Sequence, residues 1–368
     1  MEFVMESKNL INRVDIKPLT SLRFFAAAGV LYGHFGYAYN TAGLGVSFFF
    51  MLSGFILTHS YYNKFKSFDI KNIKSLWISR AARIYPLHLA TLLMAIPLAV
   101  KEGGNISIPS LMENASLLHS WYPNKVQAFS YNSVSWTLSN ELFFYLLLPF
   151  VLITLAKLKM QSKAITSILL ILACIVLTAA LMYLFKPIPH SEPYSWRWWL
   201  ILVSPYINFF TFLSGMFLSF VYQRVANSEY KLSRAKFTVI ELLVIALFAL
   251  YFLCTFRNLM FSSIFFMYGL PIGIVIMVFS LQKGLVSKVL SSKPLVYLGE
   301  ISFSIYMVHQ IVIRVIEDYV GNVVGPVNNM HGALNQLGVG ILVVIVSSIL
   351  YHAIEKPARS AIKRLKLA

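Results

Sequence analysis

RFFAAAGVLYGH, residues 23–34, reads as an apolar helix with one ionisable side chain at each end. Eleven residues separate Arg23 from His34, about three helical turns or roughly 16 Å of rise, which returns to nearly the same face. The surrounding run is hydrophobic enough to cross a bilayer, so it aligns a guanidinium near one membrane surface with an imidazole near the midplane. Ionisable groups at that depth are costly and serve a pathway, a partner or a reaction. The plainer reading is two unrelated polar residues lining a helix–helix contact.

Composition extends this membrane reading to the whole chain. Of 368 residues, 58% are hydrophobic and only 12% charged, and the mean hydropathy is +0.70. A soluble domain carries about twice that charged fraction. The 29 Phe and 20 Tyr suit interhelical contacts and interfacial belts. A net charge of +17 in a soluble protein would point to nucleic acid, but here the basic residues fall between hydrophobic runs, so topology accounts for them and no nucleic-acid partner is expected. Cys174 and Cys254 lie far apart in apolar stretches and imply neither a disulfide framework nor a metal cluster. The first 18 residues are polar and lead into a full span, without the pattern of a cleavable signal.

Apolar runs of spanning length occur at 20–40, 44–62, 82–101, 137–157, 165–185, 200–222, 238–256, 260–281, 296–319 and 336–354. Of the 31 Lys and Arg, 24 fall on one set of connections. Only Lys101, Lys125, Lys186, Arg197, Arg257 and Arg314 fall on the other, and Arg23 lies within a span. That asymmetry predicts cytoplasmic termini and hence an even number of spans. The expected fold is all-α: a bundle of about ten transmembrane helices forming a single domain over 1–368, with short cytoplasmic tails at about 1–18 and 357–368. The longest outward connection, 102–136, holds His119, Trp121, Tyr122 and Pro123, which either contribute to an acceptor site or cover the bundle.

Five further stretches carry chemistry. In GVSFFFMLSGFILTHSY, 45–61, the small residues Ser47, Ser53 and Gly54 permit close packing around the first span, and Ser53 is also a candidate pore-lining residue. In SRAARIYPLH, 79–88, Arg80 and Arg83 share a helix face and read either as positive-inside anchors or, with Arg23, as an electropositive mouth for a phosphorylated cytosolic ligand. No phosphate-binding glycine motif accompanies them, so side chains would do the holding. In SVSWTLSNELFFY, 133–145, Glu141 is the only carboxylate of its helix and could pair with Arg or His or orient a base, while Trp136 fits an interfacial anchor or a substrate-stacking role. In GEISFSIYMVHQ, 299–310, the spacing of Ser302, Tyr306 and His309 predicts a polar stripe that lines a channel or forms an interhelical seam. In YHAIEKPAR, 351–359, Glu355 is expected in a structural salt bridge with a cytoplasmic Arg, and Pro357 at the helix end. A His with a near-neutral pKa, as at His34, is the natural general base for a hydroxyl proton.

Together and in this order, LTSLRFFAAAGVLYGH, FFFMLSGF, RAARIYP, SVSWTLSNELFFY, GEISFSIYMVH and YHAIEKPAR resemble acyltransferase family 3, bacterial integral-membrane acyltransferases acting on envelope and secreted glycans. The resemblance runs from about 19 to 359. It implies a multi-pass protein of the bacterial cytoplasmic membrane that transfers an acyl group, most often acetyl from acetyl-CoA, to a glycan hydroxyl. It implies His34 as the leading catalytic residue with Arg23 its companion, and Arg80 and Arg83 at the CoA phosphates. Glu141 takes the family's acidic position, where it would raise the basicity of His34 or orient the acceptor. The acyl-CoA is a substrate, and no permanently bound cofactor or metal is implied. Some members carry a fused extracellular domain that completes delivery; none is recognisable here, which implies direct action or a separate acyl-delivery protein. The competing function is a transporter or flippase of a polar or lipid-linked glycan, with His34 and Glu141 as a proton relay.

Overall fold

The computed structural model describes residues 16–37, 39–104, 106–185, 195–228, 232–256, 264–321 and 330–365; they are helical, with no strand among them. The expected all-α architecture is borne out. The main helices are α1 (Lys17–Tyr32), α2 (Tyr39–Tyr61), α3 (Ile70–Lys101), α4 (Trp136–Lys157), α5 (Ala164–Leu184), α6 (Pro205–Ala226), α7 (Arg234–Phe256), α8 (Ile264–Ser280), α9 (Lys293–Glu300), α10 (Ser302–Val320), α11 (Met330–Leu350) and α12 (Lys356–Leu365). Among the described residues seven helices are long and apolar enough to cross a membrane, or eight if the bent pair α9–α10 is one span. The other two expected spans fall on α1 and on the shorter apolar helix α8. Lys8, Arg13, Lys186, Lys231, Arg257 and Lys366, which entered the charge count, lie outside the described residues.

Small residues set the centre of the bundle. A Cβ at Gly54 would collide with the Phe212 carbonyl, and one at Gly215 with the Met51 carbonyl, so α2 and α6 touch backbone to backbone. The expected packing of α2 on the first span comes instead from Gly45, whose hydrogen faces the Ala26 carbonyl; Gly54 is turned to α6. Gly299 similarly lets α9 meet α1 at the Thr20 carbonyl. These contacts surround a core of Phe50, Phe144, Phe212 and Phe220, all essentially inaccessible. By contrast, only 17% of the most apolar window of α5 and 11% of that of α7 is buried, which makes these two helices the lipid-facing rim.

Three local features differ from the sequence expectation. α3 has 32 residues and starts at an Asp69 cap that accepts from the Lys71 amide at 2.9 Å. It is about 48 Å long, against a hydrocarbon core of about 30 Å. Its first turns therefore project beyond the span read as 82–101, carrying Arg80 with them. The span read as 296–319 is broken at Ile301, where α9 and α10 meet at 58°. Pro357 does not stop the last helix: it follows a π-helical turn, Tyr351–Glu355, and the helix runs on through α12. Two other π-helical segments are Gly33–Tyr37 and Trp199–Val203. At the end of α3 remote from Arg80, Arg314 grips Glu102 through two bonds of 2.8 and 2.7 Å, and Lys101 pairs with Asp318 at 3.2 Å.

The connection 102–136 packs into the bundle. His119 and Ser120 are fully buried. The Trp121 indole donates to the Ser139 carbonyl and that of Trp199 to the Ser120 carbonyl, each at 3.0 Å.

Candidate active site

Helices α1, α2, α3, α4 and α10 enclose a cavity of about 670 Å³, within the range of small-molecule sites. At one end stand four guanidinium groups, Arg23, Arg80, Arg83 and Arg359, with Tyr61 and Ser79. Glu141 belongs with them, since it interacts electrostatically with Arg83 and Arg23 and bonds to Tyr145; the rest of the wall includes Val46, Phe49, Phe50 and Leu138, with Thr137 and Tyr306 as further polar groups.

The arginines differ in their pairing. Glu355 Oε1 accepts from Arg83 Nη1 at 2.8 Å and from Arg359 Nη2 at 2.7 Å, and its Oε2 accepts from the Ser304 hydroxyl at 2.8 Å. The salt bridge expected for Glu355 is present. Arg23 and Arg80 have no carboxylate within 4.0 Å among the described residues. Arg80 lies 5.9 Å from the Tyr61 ring and 6.0 Å from the Tyr145 ring, with its Nε buried and unpartnered. Arg80, held near two aromatic rings without a carboxylate in contact, together with the three neighbouring guanidinium groups makes this end of the cavity suited to a negatively charged ligand.

Glu141 accepts from the Tyr145 hydroxyl at 2.8 Å and from the Ser53 hydroxyl at 3.3 Å. Glu141 and His34 share no direct hydrogen bond among the described residues. Ser53 is on the cavity wall as anticipated.

His34 occupies the second position of the π-helical turn at the end of α1, a local distortion common at functional sites. Its Nδ1 lies 2.9 Å from the Val30 carbonyl and 3.2 Å from Nε2 of His309. His309 is fully buried, with Nδ1 at 2.7 Å from the Tyr306 carbonyl and 3.3 Å from that of Ile305. The Tyr306 ring packs at 5.9 Å against that of His309 and at 5.8 Å, edge to face, against Phe49. Phe49 and Tyr306 line the cavity whereas the two histidines do not. His309 thus packs directly behind the cavity-lining Tyr306, and His34 lies behind His309 rather than on the cavity wall.

Ser302, Tyr306 and His309 all lie on α10, with Ser302 as its first residue just past the bend at Ile301. Tyr306 reaches the cavity and bonds to Thr137 at 2.8 Å and the Val134 carbonyl at 3.2 Å. Ser302 donates at 2.7 Å to the Gly299 carbonyl across the bend and lines nothing. Trp136 also leaves the cavity: its ring meets Phe50 edge to face at 6.4 Å within the apolar core. Sequence reasoning missed Tyr61, Tyr145, Thr137 and Ser304, and it gave Arg359 no part beyond the basic tail. For Arg359 there was a signal, the i, i+4 spacing from Glu355.

Among known proteins, the chain is 34% identical over 157 residues to the acyltransferase MdmB of Streptomyces mycarofaciens, covering 37% of this chain and 39% of that one. It is 24% identical over 360 residues to a Staphylococcus aureus (strain COL) protein provisionally named an O-acetyltransferase, covering 94% of this chain and 57% of the relative. It is 22% identical over 326 residues to the peptidoglycan O-acetyltransferase OatA of Listeria monocytogenes, covering 83% and 50% respectively. The chain spans roughly half the length of these relatives or less. No solved structure matches it. The model of the acyltransferase domain matches residues 17–352, which takes in the cavity, the histidine pair and all but the last of the four arginines. The chain belongs to acyltransferase family 3.

Proposed function

We propose that the protein is a membrane O-acyltransferase that takes an acyl group, acetyl in the first instance, from acetyl-CoA at the arginine-lined end of the cavity. It passes that group to a hydroxyl of a polysaccharide or other glycan on the opposite side, with His34 as general base. The observation that carries this reading is the cluster of four guanidinium groups, Arg80 among them without a carboxylate in contact, in a cavity whose Tyr306 wall packs on His309, the ring that meets His34. Phosphates of the donor neutralise those cations, and the apolar part of the cavity wall suits the uncharged arm that carries the thioester. Relatives named as O-acetyltransferases, one of them acting on peptidoglycan by its name, support an O-linked glycan acceptor.

The reaction balances as a direct transfer. The acceptor O–H gives its proton to His34, the oxygen attacks the thioester carbonyl, the C–S bond breaks, and the protonated His34 returns the proton to the CoA sulfur. For the thioester to reach His34 the Phe49–Tyr306 layer must part. Topology follows the charge asymmetry: ten spans in the bacterial cytoplasmic membrane, with both termini and the arginine cluster on the cytoplasmic side. A separate acyl-delivery protein on the outer side is compatible with this arrangement. The transporter reading needs a proton path between His34 and Glu141, which share no direct hydrogen bond among the described residues.

The test supplies purified protein in nanodiscs with acetyl-CoA and a panel of glycans, and follows free CoA thiol together with acetylated product. Equal release of both, lost in Arg23→Ala combined with Arg80→Ala, supports the proposal. Movement of an intact glycan across vesicles without CoA release overturns it.

A further inference from the structure

The two imidazoles are placed so that their tautomers can be assigned. A ring nitrogen facing carbonyl oxygens must carry the proton, because two lone pairs pointed at each other repel. His309 Nδ1 faces the carbonyls of Tyr306 and Ile305 at 2.7 and 3.3 Å, so it is the N–H and Nε2 keeps a lone pair. His34 Nδ1 faces the Val30 carbonyl at 2.9 Å and the His309 Nε2 lone pair at 3.2 Å, so it too is an N–H, shared between two acceptors. The basic nitrogen of His34 is therefore Nε2. No carboxylate lies within 4.0 Å of either ring among the described residues. What faces the pair from α10 is the neutral Tyr306 phenol, and on α1 it is the Val30 carbonyl.

We propose that His309 is the positioning residue of the reaction: a neutral histidine that fixes the tautomer and orientation of His34, in the place a carboxylate occupies in the familiar catalytic triad. The inference rests on the general-base reading of His34. During transfer, His34 Nε2 takes the hydroxyl proton while Nδ1–H keeps its bond to His309 Nε2, so the positive charge of the imidazolium is shared with an uncharged acceptor. The backbone of α10 locks the acceptor, since both carbonyls that hold His309 Nδ1 belong to its own helix. A buried neutral partner also spares the site the cost of an uncompensated carboxylate before the proton arrives.

The test combines kinetics with nitrogen-15 spectra of histidine-labelled protein in nanodiscs. In the wild type, His34 is expected as the Nδ1–H tautomer with an unprotonated Nε2; an Nε2–H tautomer overturns the proposal. His309→Leu should lower kcat on the order of tenfold to a hundredfold, leave the donor KM unchanged and give His34 a mixture of tautomers. His309→Gln, whose amide oxygen can accept from Nδ1–H while its amino group donates to the carbonyls, should recover part of kcat. Unchanged kcat in folded His309→Leu overturns the proposal, as does equal loss in the Leu and Gln variants. If His309→Leu does not fold, the wild-type spectrum still decides. Activity retained in His34→Ala removes the general-base reading itself and is read separately from the tautomer.

Discussion

Arg83 and Glu355, 272 residues apart in sequence, meet at 2.8 Å with the carboxylate almost wholly buried. The contact pins the π-helical end of the last span to the extended start of α3, and Glu355 holds Arg359 through the same oxygen. Breaking a buried pair by removing one partner leaves an uncompensated charge and costs about 3–5 kcal/mol. Glu355→Ala is therefore expected to lower the thermal midpoint in detergent markedly, measured by tryptophan fluorescence, whereas Arg359→Ala, which leaves the Arg83 pair intact, costs less. Equal midpoints for Glu355→Ala and wild type would remove the structural role assigned to this carboxylate.

Arg80 has no such partner, so its removal should weaken the donor and spare the fold. Arg80→Ala is expected to raise the KM for acetyl-CoA about tenfold with kcat changed by less than about threefold. Arg80→Lys should recover part of that, as a point charge without the planar fork. An unchanged donor KM in steady-state kinetics would leave Arg80 as a topology anchor.

The contact of α2 with α6 has no room for a side chain. Gly54→Val and Gly215→Val each drive a branched side chain into a backbone carbonyl. Either is expected to cost at least about 1–3 kcal/mol, the range for overpacking. Gly103, whose Cβ would meet nothing, is the control on crowding; its φ of +72° makes Gly103→Asn the suitable variant. Elution in size-exclusion chromatography together with the thermal midpoint reads the difference, and a well-behaved Gly54→Val protein would contradict the close approach.

His119, in the connection between α3 and α4, is pushed down to about 3 from an ordinary 6.5, first by burial and then by the neighbouring His88. Because the folded value lies below the unfolded one, the unfolded chain takes up the proton first as pH falls. The stability that depends on neutral His119 is complete above about pH 6.5 and drains toward pH 3, at up to about 1.4 kcal/mol per pH unit. Thermal midpoints at pH 7.5 and 5.0 should therefore differ by less in His119→Gln than in wild type. Identical acid sensitivity would contradict the assignment.

Residues that are expensive in a membrane were legible without a structure. Arg23, Arg80, Arg83, Ser53 and Glu141 all reach the cavity, since a polar group in an apolar helix must find a polar or hydrated place. Ser302 and Trp136 stand off the cavity wall for local reasons: Ser302, the first residue of α10, turns its hydroxyl to the Gly299 carbonyl, and the Trp136 ring packs into the apolar core. The π-helical turns beneath His34 and Glu355 have no sequence pattern. The meeting of His34 with His309 across 275 residues is a tertiary fact that spacing within one helix does not encode.

The central claim is that His34 drives acyl transfer from a donor held by the arginines. The most direct measurement is single-turnover transfer from radiolabelled acetyl-CoA to glycan by wild type and His34→Ala in nanodiscs, with donor binding measured in parallel. The account predicts unchanged donor binding and a transfer rate lower by at least about a hundredfold, the usual contribution of a general base. Transfer at the wild-type rate by folded His34→Ala protein would contradict it.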